Sequence, residues 1–137
     1  MLLDNKTIFV VEDDPMNRAV MLTILQMNGA TAHFDPWGAQ TIDRIRKIGN
    51  VNLILMDLML PRGNTGYKVF ELLQAEDDLK DIPVVIVSAS DPALEMRKAH
   101  RMGFKGFISK PINSQSFPQL LVNIMNGEEV WADDFMY

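Results

Sequence analysis

Ionic and hydroxyl side chains follow four apolar runs of the sequence, and the five residues are Glu12, Asp13, Asp57, Ser88 and Lys110. Each lies within two residues of a run that is typical of a buried strand. A carboxylate on such a run is expensive to bury without a partner, whereas the carboxyl ends of parallel strands are where open α/β sheets place their sites. We therefore interpret these five residues as one site at the strand ends.

The acids of this set define the chemistry that we expect. Two carboxylates about 5 Å apart repel each other by roughly 3 kcal/mol at an effective dielectric constant of about 20. Together, Glu12, Asp13 and Asp57 therefore either bind a hard divalent cation or keep one acid protonated. An all-oxygen ligand set favours Mg²⁺. Lys110 and Ser88 add a positive charge and a hydroxyl donor, and this combination suits a phosphoryl group on a carboxylate nucleophile.

Strand and helix patterns alternate five times along the chain. Strands are predicted at 7–11, 31–34, 53–56, 84–87 and 106–109, and amphipathic helices lie between and after them. This alternation predicts an α/β fold with a doubly wound, five-stranded parallel sheet in the order 2-1-3-4-5, which is the flavodoxin-like arrangement. Strands one and three are then neighbours, so Glu12 and Asp13 should lie close to Asp57.

Helical spacing also predicts core residues. Met16, Val20 and Ile24 recur at intervals of four and predict the buried face of the first helix. Methionine fills irregular gaps between helices and sheets, and five methionines are interpreted as core residues, namely Met16, Met21, Met27, Met56 and Met59.

Composition excludes several functional classes. The 137 residues are 47% hydrophobic and contain no cysteine, which excludes disulfides, thiolate catalysis and cysteine-bound metals. A net charge of −5 argues against nucleic acid as the main partner. The N-terminus lacks the apolar run of a signal peptide and no stretch is long enough to cross a bilayer, so we predict a cytoplasmic protein without membrane contact.

Four sequence motifs occur together in a specific order: Val11-Glu12-Asp13-Asp14-Pro15, Leu55-Met56-Asp57-Leu58-Met59-Leu60-Pro61, Val87-Ser88-Ala89 and Lys110-Pro111. Over roughly residues 7–125 the chain resembles the receiver (response-regulator) domain family of two-component signalling, in its stand-alone, single-domain form. The resemblance implies that a phosphohistidine donor, either a histidine kinase or a histidine phosphotransfer protein, phosphorylates Asp57.

The same resemblance assigns roles to the other residues. It implies that Mg²⁺ is held by Glu12, Asp13, Asp57 and the backbone carbonyl of Met59. Ser88 and Lys110 would contact the phosphoryl oxygens. Phe107 matches the family's switch aromatic, which moves inward when Ser88 is drawn to the phosphoryl group.

The resemblance further implies a partner surface. Phosphorylation would alter the face formed by the fourth helix, the fifth strand and the fifth helix, to which a downstream protein or a second copy of the chain would bind. We expect a receiver domain at 1–127 and a C-terminal tail at 128–137, with no separate effector domain. The protein would catalyse only its own phosphorylation and dephosphorylation, and it would not be an enzyme in the usual sense.

Two features depart from the family pattern. Four residues separate Pro61 from Gly66 where three are common, which leaves the start of the third helix open. The switch position holds Phe107 where many members have tyrosine, so a readout through it must come from burial. Two other functions remain open. One is a phosphohydrolase, although Met59 stands where a dehalogenase-like enzyme needs a second Asp. The other is a degenerate receiver that binds partners without phosphorylation.

Overall fold

The structure is a computed structural model that describes residues 1–131 of the chain. Strands and helices alternate along it as predicted: β1 (Thr7–Val11), α1 (Pro15–Met27), β2 (Thr31–Asp35), α2 (Thr41–Ile48), β3 (Leu53–Met56), α3 (Gly66–Gln74), β4 (Val84–Ser88), α4 (Pro92–Met102), β5 (Gly106–Ser109) and α5 (Phe117–Met125). No helix in this part of the chain is long and apolar enough to cross a membrane.

The five strands form one parallel sheet in the order β2-β1-β3-β4-β5, which confirms the predicted topology. In this register Val11 of β1 lies opposite Met56 of β3. The residues that follow them, Glu12 and Asp57, therefore leave neighbouring strands at the same edge of the sheet. The strands β2 and β5 are the two outer strands.

The core has two layers because strand side chains alternate between the faces of the sheet. On β1, Phe9 and Val11 belong to the layer covered by α2, α3 and α4. Ile8 and Val10 belong to the layer covered by α1 and α5. Both layers are apolar, so the polar strand-end residues stand out as a separate group at the carboxyl edge.

Part of the predicted core assignment is wrong. In α1 the buried residues are Met21, Ile24 and Leu25. The predicted core residues that are exposed in this helix are Met16 at 78%, Val20 at 50% and Met27, its last residue, at 71%. Met16 lies in the first helical turn, next to the strand-end loop, and does not overlie the sheet. Met59 is 72% exposed because it lies beyond the end of β3, in the loop that leads to α3.

The loop after β3 has a defined shape. Met59 and Thr65 form an isolated antiparallel bridge, and Arg62 and Gly63 between them both have positive φ, 60° and 72°. Thr65 caps α3 by accepting a hydrogen bond from the backbone N–H of Lys68, so the helix begins at Gly66 despite the longer loop.

The chain returns to the sheet after α5. Val130 forms an isolated parallel bridge with Gly106 on the outer side of β5, and Trp131 packs against the core layer of α2, α3 and α4. The tail therefore folds back in the part that the structure describes. The other two tail aromatics, Phe135 and Tyr137, lie outside the described residues.

Candidate functional site

Asp57 lies directly after the central strand β3 and is 6% exposed. Its backbone N–H continues the sheet by donating to the carbonyl of Val11 at 3.0 Å. Its carboxylate accepts hydrogen bonds from the backbone N–H of Met59 at 3.3 Å and from the Lys110 ammonium at 2.9 Å. The sheet topology thus places the carboxylate of Asp57 at the end of an otherwise apolar strand.

Glu12 and Asp13 reach the same place from β1. Glu12 is fully buried, and one of its carboxylate oxygens accepts from the backbone N–H of Asp14 at 3.1 Å. Asp13 is exposed. Glu12, Asp13 and Asp57 each place a carboxylate oxygen within 4.8 Å of the other two, and we call these three residues the acidic cluster. Glu12 and Asp13 therefore lie close to Asp57, as the predicted strand order requires.

Lys110 links the acidic cluster to the end of β5. Its ammonium hydrogen-bonds to Glu12 and to Asp57, and its side chain is only 14% exposed. Its backbone N–H donates to the carbonyl of Ser88 at 2.9 Å, and a cis peptide bond joins it to Pro111. One cation is therefore shared between two buried carboxylates.

These contacts change the protonation equilibria of Glu12 and Lys110. Burial raises the pKa of Glu12, the hydrogen bond from Lys110 opposes that rise, and the nearby negative charge of Asp57 adds to it. Burial alone would lower the pKa of Lys110, but its hydrogen bonds to Glu12 and Asp57 outweigh burial and raise the pKa. Lys110 is therefore charged, and Glu12 binds a proton more readily than an ordinary glutamate.

Ser88 ends β4 and is completely buried. Its hydroxyl donates to the Ser90 hydroxyl at 3.1 Å and accepts from the Ser90 backbone N–H at 3.2 Å. Ser90 was not among the predicted site residues, although a second hydroxyl two residues after the strand-end serine was a usable signal. Ser88 thus lies at the predicted edge, with its hydroxyl engaged by the β4–α4 loop.

Phe107 lies in the middle of β5 and is fully buried, in the core layer of α2, α3 and α4. Its backbone N–H donates to the carbonyl of Val130 at 2.8 Å. The inward movement that the family resemblance implies therefore has no exposed starting position in this structure. The backbone of Phe107 is tied to the returning C-terminal segment.

Two further polar residues near the site were not anticipated. Asp35 is completely buried, and it accepts hydrogen bonds from the backbone N–H groups of Trp37 and Gln40 and from the Thr41 hydroxyl. Its hydrogen bonds go to the start of α2, so its role there is structural. Arg18 of α1 donates to the backbone carbonyl of Glu12 at 3.0 Å and fixes the loop that carries the acids.

The arrangement is a set of carboxylate oxygens, one ammonium and one hydroxyl at the carboxyl edge of a parallel sheet. A family model for the response regulator receiver domain matches residues 8–122. The polar-differentiation response regulator DivK of Brucella anthropi is 30% identical to this chain over 112 residues, which cover 82% of this chain and 89% of that protein.

Solved structures show the same fold. A putative response regulator from Chloroflexus aurantiacus matches with a TM-score of 0.80 at 20% identity, covering 88% of this chain and 98% of that one. A CheY-like response regulator receiver domain protein from Methanospirillum hungatei matches with a TM-score of 0.77 at 19% identity, over 88% and 94% of the two chains. With its family match and its strand-end site, the chain belongs to the response regulator receiver domain family, a family of two-component signalling modules.

Proposed function

We propose that this chain accepts a phosphoryl group on Asp57 from the phosphohistidine of a histidine kinase or a histidine phosphotransfer protein. In this step an Asp57 carboxylate oxygen forms a bond to phosphorus, the N–P bond of the donor breaks, and its electron pair stays on the imidazole nitrogen. The observation that carries the proposal is the position of Asp57, nearly buried at the end of β3 and hydrogen-bonded to Lys110.

The acidic cluster fits a divalent cation. Its three carboxylates are all oxygen ligands and each brings an oxygen within 4.8 Å of the others, which suits Mg²⁺. We propose that Glu12, Asp13 and Asp57 hold it together with the backbone carbonyl of Met59. When bound, Mg²⁺ supplies positive charge that offsets the carboxylates and the phosphoryl oxygens.

Lys110 and Ser88 are the residues that we propose to contact the phosphoryl oxygens. Lys110 already lies 2.9 Å from an Asp57 oxygen, so its charge is available where negative charge accumulates. Ser88 is joined to Lys110 through the hydrogen bond between their backbones. To donate to a phosphoryl oxygen, the Ser88 hydroxyl must give up its hydrogen bond to the Ser90 hydroxyl.

The proposed phosphodonor is a protein, and the rim of the site supports this. Met16 in the first turn of α1, Met59 after β3 and Leu94 in the first turn of α4 are large apolar side chains that are exposed around the carboxyl edge. Apolar side chains of this kind form the centre of protein–protein interfaces. The cytoplasmic location predicted from the sequence is part of the same proposal.

The proposed output runs through β4 and β5 to the face formed by α4, β5 and α5. Ser88 pairs with Ser109 in the sheet register, and Phe107 pairs with Ile86, so the hydroxyl and the aromatic ring lie on adjoining strands. A change at Ser88 is thus transmitted through these two strands to the α4–β5–α5 face, to which a downstream protein or a second copy would bind. A phosphorylation-independent binding module remains the alternative.

Phosphate-affinity electrophoresis with a small-molecule phosphodonor, with and without Mg²⁺, tests the proposal. The wild-type chain should show one shifted species that requires Mg²⁺, and Asp57→Asn should show none. Asp14→Asn is the matched control, because asparagine also caps α1 and the change removes a neighbouring acid outside the acidic cluster. An unshifted wild-type chain would favour the binding module, and repeated turnover of the donor would indicate a hydrolase.

A further inference from the structure

The outer edge of β5 is occupied by the chain's own residues 128–131, which we call the edge segment. The backbone N–H of Val130 donates to the carbonyl of Lys105 at 3.0 Å, and the carbonyl of Val130 accepts from the N–H of Phe107 at 2.8 Å. This is the pattern of a parallel strand added to the sheet. The edge segment thus pairs with groups that an outermost strand otherwise presents to solvent.

Gly106 makes this pairing sterically possible. A Cβ atom at this position would lie 2.1 Å from the Val130 carbonyl oxygen and 3.0 Å from its carbonyl carbon. Gly106 is not among the glycines with positive φ, so its backbone conformation does not call for glycine. The close passage of the edge segment is therefore the reason for glycine at this place in β5.

The edge segment also contacts both core layers. Val130 is 6% exposed and lies in the layer of α1 and α5, whereas Trp131 packs against the other layer. The Trp131 ring lies 5.2 Å from the His100 ring of α4, and its Nε1–H donates to Glu129 at 3.1 Å. A carboxylate oxygen of Glu129 lies 3.5 Å from His100 Nε2. The segment wraps around the edge of the sheet, from α5 to α4.

We propose that the outer edge of β5 is a strand-addition site for an extended peptide and that the edge segment is its resident occupant. The site fits a segment with a β-branched apolar residue that is preceded by an acidic residue and followed by an aromatic one. Main-chain hydrogen bonds to Lys105 and Phe107 supply affinity. The contacts that the β-branched and aromatic side chains of the segment make with the two core layers supply specificity. A partner that uses this edge must displace residues 128–131.

The consequence for signalling rests on the proposed function. The edge lies within the α4–β5–α5 face that we propose for output, and its central hydrogen bond is made by Phe107. A partner that adds a strand to β5 therefore competes with the edge segment for the backbone of the proposed switch residue. The edge itself is a feature of the fold and can be tested without any phosphodonor.

The test uses full-length chains and a labelled synthetic peptide of residues 126–137, with binding followed by fluorescence anisotropy in the absence of a phosphodonor. Val130→Pro removes the N–H that donates to Lys105 and should open the edge. We expect it to bind the peptide at least about tenfold more tightly than the wild-type chain does, because the tethered segment competes at an effective concentration of about 1 mM. Val130→Ile, which keeps the N–H and a β-branched apolar side chain, should behave as wild type.

Adding Gly106→Ala to Val130→Pro should abolish peptide binding, because the new Cβ occupies the place of the incoming carbonyl. Three results would overturn the proposal. The peptide could bind equally to wild type and Val130→Pro, it could still bind after Gly106→Ala is added, or it could show no saturable binding to Val130→Pro. Since Asp57 takes no part in this assay, such a result would leave the proposed phosphoacceptor role unaffected.

Hydrogen exchange gives a second measurement that needs no peptide. In the wild-type chain the amides of Val130 and Phe107 should be protected, and Gly106→Ala should speed their exchange at least about tenfold while amides of β1 keep their rates. Lys105→Ala is the control, because it leaves the accepting backbone carbonyl in place. Unprotected Val130 and Phe107 amides in the wild-type chain would contradict the occupied edge.

Discussion

The ammonium of Lys110 lies 2.9 Å from a carboxylate oxygen of Asp57 and also hydrogen-bonds to Glu12, so one cation joins the ends of β1, β3 and β5. Both carboxylates are buried, and neither could be left there unpaired without a large desolvation cost. Lys110 therefore stabilises the metal-free site, and it lies where it would meet the phosphoryl group that we propose for Asp57.

Replacing this cation should destabilise the metal-free protein. We expect Lys110→Met, which keeps the apolar stem, to lower the free energy of unfolding by about 2 kcal/mol, because two buried acceptors lose their charged donor. Urea denaturation in EDTA measures this change. Added Mg²⁺ should recover part of the loss, since the cation would also pair the carboxylates.

Lys105→Met is the control for that change, because Lys105 is exposed and the salt bridges found in the described part of the chain do not involve it. Its unfolding midpoint should remain close to that of the wild-type chain. Equal effects of the two substitutions would show that the Lys110 contacts do not stabilise the fold.

The raised pKa of Glu12 predicts a pH dependence with a definite sign. In the folded chain its pKa lies above the ordinary value of 4.5, so the folded state binds more protons than the unfolded state in the window that begins near pH 4.5. The stability contributed by this proton is fully present below that window and is lost as the pH rises through the raised pKa. Glu12→Gln should remove this loss.

Urea denaturation in EDTA between pH 4.5 and pH 7 provides the comparison. The difference in stability between Glu12→Gln and wild type should grow in favour of the variant as the pH rises. Glu71→Gln, on the exposed surface of α3, should follow the wild-type curve. If the difference in the free energy of unfolding between the wild-type chain and Glu12→Gln did not change with pH, Glu12 would have an ordinary pKa.

Metal binding should depend on Asp13, the exposed member of the acidic cluster. Isothermal titration calorimetry should detect Mg²⁺ binding to the wild-type chain at millimolar concentration. Asp13→Asn should weaken it by about tenfold or more, because one anionic ligand is lost. Without metal the same variant should be slightly more stable, since one repelling charge is gone.

Asp43→Asn, in the first turn of α2, also removes an exposed acid but lies outside the acidic cluster. It should bind Mg²⁺ as wild type does. If neither the wild-type chain nor Asp43→Asn bound Mg²⁺ at millimolar concentration, the assignment of the acidic cluster would be wrong.

The strand order and the meeting of Glu12 with Asp57 were predictable because buried parallel strands carry a strong local signal, and right-handed crossovers leave few topologies. The exposure of Met16 was not predictable in the same way. Helical spacing identifies an apolar face, but it does not tell which turn of the helix overlies the sheet. The pairing of Val130 with Gly106 joins two separate segments of the sequence, and no local sequence pattern predicts it.

The role of the Phe107 ring is better tested by a conservative substitution than by truncation to alanine. Because the ring is fully buried, Phe107→Ala would leave a cavity and cost about 3–5 kcal/mol, so a lost response in that variant would be confounded by lost stability. Phe107→Leu keeps most of the apolar volume and the backbone N–H that donates to Val130. This variant separates the ring from the backbone contact.

We expect phosphodonor to modify Asp57 equally in the wild-type chain and in Phe107→Leu, because the ring does not contribute to the acidic cluster. Phosphorylation of the wild-type chain should change the hydrogen-exchange rate of the Val130 amide, since the backbone N–H of Phe107 donates to the Val130 carbonyl and the Val130 N–H donates to the carbonyl of Lys105, also on the outer edge of the sheet. In Phe107→Leu this change should be reduced several-fold. An undiminished response in the variant would mean that the signal reaches the edge of β5 through Ser88 and the backbone of β4 and β5, independently of the aromatic ring.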